Sequence, residues 1–394
     1  MRIAVIEPVP FGGLLHYATQ LADALAERGN QVDLICARDN ELASRSGAAR
    51  RRPVLPPGAP AHSGEPTRVE ATLRRARTAA RLARTWGRIV REVRFGGYDA
   101  VLLNGSLDLS LTALGALTVT KLRGKTPTSH VCHNVRPFNR WGGSELFVEG
   151  GTTMKLLARA YPSFDFLFVH GERSRAEYLE TYPPTRLVVI PHGDERIFED
   201  GEEPPPPAGE PRILFFGAWR KMKGLPVLME AFDALSRRRP DARLTIAGPP
   251  VPEEGESARV IPWASGHGDS VEVRPDYVPL EQVPDLFGRA RVVVMPYLAG
   301  YQSGVVHLAM TMRRAVVASD VGDLPAAVAD GETGIVVPKG DVPALVDALD
   351  RVLGDPALAE RLGAAGRERV MNGSGWPTVA EQVEAALRAA KEAQ

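Results

Sequence analysis

Arg2-Ile3-Ala4-Val5-Ile6, then Pro8-Val9-Pro10-Phe11-Gly12-Gly13, a helical pattern over residues 14–28, a stop at Gly29 and the run Val32-Asp33-Leu34-Ile35-Cys36 open the chain. A short strand, a glycine turn, an amphipathic helix and a second strand make one βαβ unit. The same order returns downstream: an apolar run over 212–216, a glycine-bounded loop to Gly224, a helix over 225–237 and a strand over 243–247. Further apolar runs at 100–103, 166–169, 187–190, 292–295 and 315–318 alternate with helical stretches, which is the pattern of parallel sheets covered on both faces. The sequence predicts an α/β protein of two doubly wound domains.

Those domains fall at residues 1–193 and 212–376. Between them, 194–211 carries Pro204-Pro205-Pro206-Pro207 and several acids, a composition suited to an extended linker. Residues 45–67, rich in Gly, Pro and Arg, read as a mobile loop, and a last helix over 378–394 reads as crossing back to the first domain.

Forty-eight basic residues balance forty-eight acidic ones, so the global electrostatic footprint of a nucleic-acid binder is absent. Two cysteines, Cys36 and Cys132, make no disulfide framework, and the chain opens without a signal-peptide layout, which together point to the cytoplasm. No apolar run reaches the ~18 residues of a membrane span. The helix from Arg68 to Arg94 nevertheless holds nine arginines against two glutamates, with Leu73, Ala76, Ala80, Ala83, Trp86 and Val90 at helical spacing. Such a face suits peripheral contact with anionic lipid on the inner face of a membrane, with Trp86 at the interface. Arginine is abundant throughout, however, with forty-one against seven lysines.

Four segments carry site chemistry. Gly12 and Gly13 stand between a strand and a helix N-terminus, where either a tight turn or a phosphate is served. In Gly217-Ala218-Trp219-Arg220-Lys221-Met222-Lys223-Gly224, Arg220 and Lys223 suit a diphosphate, the first through paired hydrogen bonds and the second as a point charge. In Tyr301-Gln302-Ser303-Gly304-Val305, Gln302 and Ser303 suit hydroxyls and the amides through Val305 suit phosphate oxygens, while Ser303 also fits ordinary helix capping. His133 at a strand end, with Asn134, Arg136 and Asn139, suits the rim of a hydroxylated-substrate site. His130, Cys132 and His133 invite a metal, but strand alternation turns the last of them away from the first two, so none is expected. His192 either lines the site or packs at the hinge, His16 fits a cap of the first helix, and His307 falls inside a helix.

Taken in order, Gly12-Gly13, His133-Asn134, Ile190-Pro191-His192-Gly193, the Arg220 and Lys223 loop, Pro296-Tyr297 and Asp330-Gly331-Glu332-Thr333-Gly334 resemble the retaining nucleotide-sugar glycosyltransferases of family 4. The resemblance covers nearly the whole chain. It implies the GT-B fold, two Rossmann-like domains facing across a cleft, and hexosyl transfer with retention from a nucleotide-sugar, UDP- or GDP-hexose favoured, without metal or other cofactor. It places Gly12, Gly13, Arg220, Lys223, Gly304 and Val305 on the donor phosphates, and His133, Gln302 and Ser303 on the donor sugar. Asn134, Arg136 and Asn139 then fall on the acceptor side. Catalysis would rest on His133, Arg220 and Lys223.

Two departures stand out. The family's paired glutamates, seven residues apart, have no counterpart, since the ungapped positions are Gly300 and Leu308, and the segment reads as a subgroup with Gln-Ser-Gly-Val instead. After Val321, Gly322-Asp323-Leu324-Pro325-Ala326 lacks the usual glutamate. A non-catalytic relative acting as partner or scaffold is the alternative, and a sugar-nucleotide epimerase a weaker one. The acceptor stays open among a soluble natural product, a polysaccharide primer and a lipid-linked saccharide.

Overall fold

The computed structural model describes residues 1–58, 68–138, 146–148, 150–199, 201, 203–207, 209–251 and 257–393. The chain forms two units, one of Met1–Pro137, Val148–Ile190 and Trp376–Gln394, the other of Phe138–Phe147 and Pro191–Gly375.

In the first unit the strands are β1 (Arg2–Glu7), β2 (Gln31–Ala37), β3 (Arg50–Leu55), β4 (Ala100–Leu103), β5 (Thr128–Val131), β6 (Phe166–Val169) and β7 (Leu187–Val189). All pair in parallel in the order β3-β2-β1-β4-β5-β6-β7. Helices α1 (Gly13–Glu27), α2 (Arg68–Phe95), α3 (Ser110–Leu122), α4 (Gly151–Ala160) and α5 (Glu172–Thr181) connect them. Continuous apolar strands such as β4 and β6 are buried along their whole length, as a sheet covered on both faces requires. Strand order reverses between β1 and β4, the place where an open α/β sheet leaves a crevice at its carboxyl ends.

The structure departs from the sequence expectations at two places. Residues 50–55, assigned to a mobile loop, form the edge strand β3. Its three arginines are held by acids of neighbouring elements: Arg50 by Asp33 at 2.6 Å, Arg51 by Asp23 at 2.7 Å and Arg52 by Glu92 at 2.7 Å. Pro53 is tolerated because only one side of an edge strand needs donors. Trp86 is the other correction. It is buried, and its ring covers Gly115 of α3 so closely that a Cβ there would collide with it. Trp86 therefore joins two helices and is withdrawn from any surface contact.

The second unit has β8 (Arg212–Phe216), β9 (Arg243–Ala247), β10 (Val271–Arg274), β11 (Val292–Met295), β12 (Ala315–Ser319) and β13 (Ile335–Val337), parallel in the order β10-β9-β8-β11-β12-β13. Its helices are α6 (Leu225–Arg238), α7 (Ser257–Ser265), α8 (Val283–Gly288), α9 (Gly304–Thr311), α10 (Leu324–Val328), α11 (Val342–Gly354) and α12 (Pro356–Glu368). Phe215, Phe232, Leu244 and Leu349 lie in one fully buried core between sheet and helices. The reversal of strand order falls between β8 and β11.

The stretch read as a linker is fixed to this unit. Asp194 is fully buried and takes two hydrogen bonds from the Arg196 guanidinium at 2.8 Å. Further on, the guanidinium of buried Arg314 donates to the Pro205 carbonyl. Prolines have no N–H to offer a sheet but keep carbonyls that need donors, and an arginine fork supplies them.

Helix α13 (Trp376–Glu392) returns to the first unit. Its buried Glu384 accepts from Arg28 at the end of α1 and from Arg388, each at 2.6 Å, and Lys391 reaches Asp99 at 2.7 Å. Burial alone would raise the Glu384 pKa, but hydrogen bonds from Arg28, Arg388 and Asn30 outweigh it and bring it down to about 2. A depressed carboxyl stabilises the fold above its unfolded pKa near 4.5 and loses that contribution as pH falls toward about 2. Hydrogen exchange should therefore show α13 protected at pH 6 and loosened between pH 4 and 2 (roughly). In Glu384→Gln the protection should be lower and nearly flat with pH.

Candidate functional site

In the second unit the chain leaves β8 through Gly217, with φ at +120°, passes buried Trp219 and reaches Arg220. Lys221–Lys223 form a 3-10 turn ended by Gly224, with φ at +69°. The loop is tied to the segment after β11, since the Leu298 amide donates to the Met222 carbonyl at 2.8 Å. A Cβ on Gly224 would collide with the Pro296 carbonyl oxygen, so glycine permits both the turn and the close approach.

This packing sets Lys223. Its Nζ lies 3.7 Å from the centre of the Tyr297 ring, a cation–π contact, and among the described residues no carboxylate pairs with it. Tyr297 is buried, and its hydroxyl lies 3.3 Å from Ser303 Oγ. Lys223, Tyr297 and Ser303 thus form one row across the ends of two adjacent strands. Arg220 begins the same turn and is half-buried.

Ser303 occupies the N-cap position of α9 but makes no side-chain cap, because its hydroxyl is turned inward to Tyr297. Gln302 serves the backbone instead, accepting from the Ser303 amide at 3.1 Å. Each side chain already has one protein partner, Gln302 through its amide oxygen and Ser303 through its hydroxyl. Gly304 and Val305 open α9, where backbone amides and the helix dipole favour an anion.

Beside that helix end stands an acid that sequence reasoning missed. A Cβ on Gly304 would lie 3.1 Å from Glu195 Oε1 and 3.6 Å from the His192 ring. Glu195 is buried, with its amide bonded to Thr311 Oγ1 at 3.0 Å. His192 stacks on His307 with ring centres 4.5 Å apart. At Gly300 and Leu308 the structure places no acid, and Glu195 brings a carboxylate to this helix from a different part of the chain. Its only signal in the sequence was Asp194-Glu195 following Pro191-His192-Gly193.

In the first unit, Gly12 has φ at +81° and a Cβ on Gly12 or Gly13 would meet nothing within 4 Å. The Gly12 amide donates to Glu41 Oε1 at 2.6 Å, and His16 Nε2 donates to the same oxygen at 2.7 Å. An anion does sit at this helix end, but it is the chain's own carboxylate. Gly13, the first residue of α1, retains open approach.

His133 follows β5. Its Nε2 lies 3.0 Å from Asn104 Oδ1 and its Nδ1 lies 3.2 Å from His170 Nε2. Burial, reinforced by His170 and His130, holds its pKa well below the usual imidazole range, so the ring is neutral. Glu7, at the end of β1, accepts from the Val9 amide at 2.7 Å and from Asn104 Nδ2 at 2.6 Å. Burial outweighs both bonds and raises Glu7 to about 7. The roles of Glu7, Asn104 and His170 could not be read from the sequence, where nothing links them to His133.

His130 packs in the core between Tyr161 and Phe164, its Nδ1 donating to the Leu103 carbonyl at 2.9 Å. Burial lowers it to about 4 and raises the Cys132 thiol to about 12. Arg136 is bonded to Glu177 at 2.7 Å and helps line a pocket of ≈ 370 Å³ with Met154, Lys155 and Tyr182. The Asn134 carbonyl accepts from the Cys132 thiol at 3.4 Å. Asn139 lies outside the described residues.

A family model described as Glycosyltransferase Family 4 matches residues 11–193, and one described as Glycosyl transferases group 1 matches residues 210–355. The alpha-maltose-1-phosphate synthase of Mycolicibacterium smegmatis is 30% identical over 64% of this chain and 70% of its own length. The chain belongs to glycosyltransferase family 4. The enzyme of the same name from Mycobacterium tuberculosis is 32% identical over 57% of this chain and 58% of its own. Among solved structures, the sucrose-phosphate synthase of Thermosynechococcus elongatus superimposes with a TM-score of 0.77 over the full length of both chains at 23% identity. HepE of Anabaena, solved with UDP and glucose, gives 0.72 at 14% identity over 99% of this chain and 100% of its own. Family 4 membership and the two parallel sheets agree: this is a glycosyltransferase of GT-B fold.

Proposed function

We propose that this glycosyltransferase moves a hexosyl group from a nucleotide-sugar, UDP- or GDP-hexose, to an acceptor hydroxyl with retention and without a metal ion. The observation that carries the reading is the row Lys223, Tyr297 and Ser303 beside the N-terminus of α9. It presents a lysine held in place by an aromatic ring next to helix amides, the arrangement suited to a diphosphate whose charge grows as the glycosidic bond breaks. Arg220 adds a second cation in the same turn. The β-phosphate oxygen that leaves C1 would then take the proton of the acceptor hydroxyl attacking the same face. Gly13, rather than Gly12, is the phosphate-binding member of its pair, because Glu41 holds the Gly12 amide.

Thermal melting against a panel of nucleotides and nucleotide-sugars, with and without EDTA, tests this directly. A selective upward shift that survives EDTA, followed by hexosyl transfer from that donor with an α-linked product from an α-linked donor, is the expected result. No shift with any donor favours the non-catalytic alternative, to which Gly300 and Leu308 lend their support.

We further propose that the acceptor is lipid-linked and that α2 and α3 meet a membrane surface. Among the described residues no helix is long and apolar enough to cross one. On α3, however, Leu111, Leu114 and Leu122 are 44–51% exposed, and α2 packs alongside through Trp86 with Arg77, Arg84, Arg88 and Arg91 exposed. Exposed leucines flanked by arginines suit the headgroup layer of an anionic bilayer. We expect the protein to sediment with vesicles rich in anionic lipid at low salt and to be released at high salt. The double variant Arg84→Glu and Arg91→Glu should remain in the supernatant, and a wild-type protein that stays there too removes the lipid-linked acceptor.

A further inference from the structure

Glu7, Asn104, His133 and His170 come from four neighbouring strands, β1, β4, β5 and β6, all at their carboxyl ends. Each side chain is bonded to the next. The donors and acceptors in this row leave little freedom. Asn104 is fully buried, and its Nδ2 gives one hydrogen to Glu7 Oε2 at 2.6 Å and the other to the Leu14 carbonyl at 3.0 Å. The Leu14 carbonyl can only accept, so the amide group must face that way and Oδ1 must face His133. An amide oxygen also only accepts, so His133 carries its proton on Nε2. Its Nδ1 is then an acceptor, filled by the Nε2–H of His170. The Tyr17 ring stands edge-on against both histidines, at 4.8 and 5.3 Å, which fixes their planes.

We propose that Glu7 and Asn104 are positioning residues that set the tautomer of His133: the Glu7 carboxyl oxygen and the Leu14 carbonyl together orient the amide, and the amide holds the imidazole neutral with its proton on Nε2 and an acceptor nitrogen at Nδ1. The proposal deepens the reading above and rests on it for one point, that His133 lies beside the donor sugar. A hydroxyl of that sugar would meet Nδ1 as donor to acceptor, in competition with His170. His133 then orients the sugar and moves no proton, because burial keeps the ring from charging.

Nitrogen NMR on the full chain with labelled histidine, assigned with a His133→Gln variant, tests the tautomer without any substrate. His133 should be neutral with its proton on Nε2 at pH 7. Glu7→Gln must turn an N–H toward either the Asn104 amide or the Val9 amide, both donors, which weakens the hold on Asn104 against that of the Leu14 carbonyl, so part of the His133 proton should pass to Nδ1. Asn104→Leu removes the guide and should leave the two tautomers mixed. In turnover assays both variants should lose kcat by roughly tenfold or more with donor KM changed less than about twofold, as befits orientation rather than binding. A wild-type proton on Nδ1, a charged ring at pH 7, or an unchanged tautomer in both variants overturns the proposal, and the wild-type spectrum suffices should either variant fail to fold. A moved tautomer with unchanged kcat overturns the positioning role. Should no donor support turnover in the wild type while the tautomer follows Glu7 as expected, it is the placement of His133 at the sugar that fails.

Discussion

Lys223→Ala should lower turnover by about 10²- to 10³-fold while leaving the melting temperature within about 2 °C of wild type. The ammonium is fixed before any ligand arrives, because the buried Tyr297 ring holds it at 3.7 Å and Ser303 in turn holds the Tyr297 hydroxyl. On the proposed function, removing it would take a full charge from the donor diphosphate just as that group gains negative charge, so the loss should fall on kcat/KM and kcat together. The fold should not notice, since among the described residues Lys223 has no ion pair to lose. Lys223→Arg should recover only part, because a longer, planar guanidinium stacks flat on the ring and places its charge differently from a compact ammonium. Full activity in Lys223→Ala would remove the phosphate assignment from this loop.

The second large effect is on stability. Gly224→Ala should destabilise the second unit by about 3–4 kcal/mol, a fall of roughly 10 °C in its melting. Two costs combine: a left-handed backbone at φ +69°, and a methyl driven into the Pro296 carbonyl, which is backbone and has no rotamer to retreat into. Gly340→Ala separates them. That glycine has φ at +73° but its nearest obstacle is Leu298 Cδ2 at 3.9 Å, so only the conformational cost of about 1 kcal/mol remains. Equal melting shifts in the two variants would show that the close approach at Pro296 contributes nothing. Donor binding should also weaken in Gly224→Ala, since residue 224 anchors the turn that carries Lys223.

How far the sequence could be read depends on where each signal lies. Strands such as β4 and β6 are legible because a strand buried on both faces is a continuous apolar run. The edge strand β3 is not, because Arg50, Arg51 and Arg52 look like a solvated stretch until Asp33, Asp23 and Glu92 are seen opposite them. Lys223 is legible as a cation in a glycine-bounded loop, but its aromatic partner is seventy-four residues away and is brought near only by the adjacency of β8 and β11. Glu7, Asn104 and His170 are hidden for the same reason: strand order joins them, and strand order is not written locally. Glu195 lies in a segment whose prolines and acids suggest a linker, and its neighbour Asp194, fully buried under Arg196, shows why that suggestion fails.

Helix α13 completes the surface of a unit whose other elements precede Ile190. On a ribosome, α1 is therefore made long before the helix that covers it, and the whole of Pro191–Gly375 is synthesised in between. The first unit must wait for α13, with the Arg28 guanidinium unmatched until Glu384 arrives. A chain cut within α13 would thus keep every element of the second unit while its first unit lacked the helix that matches Arg28.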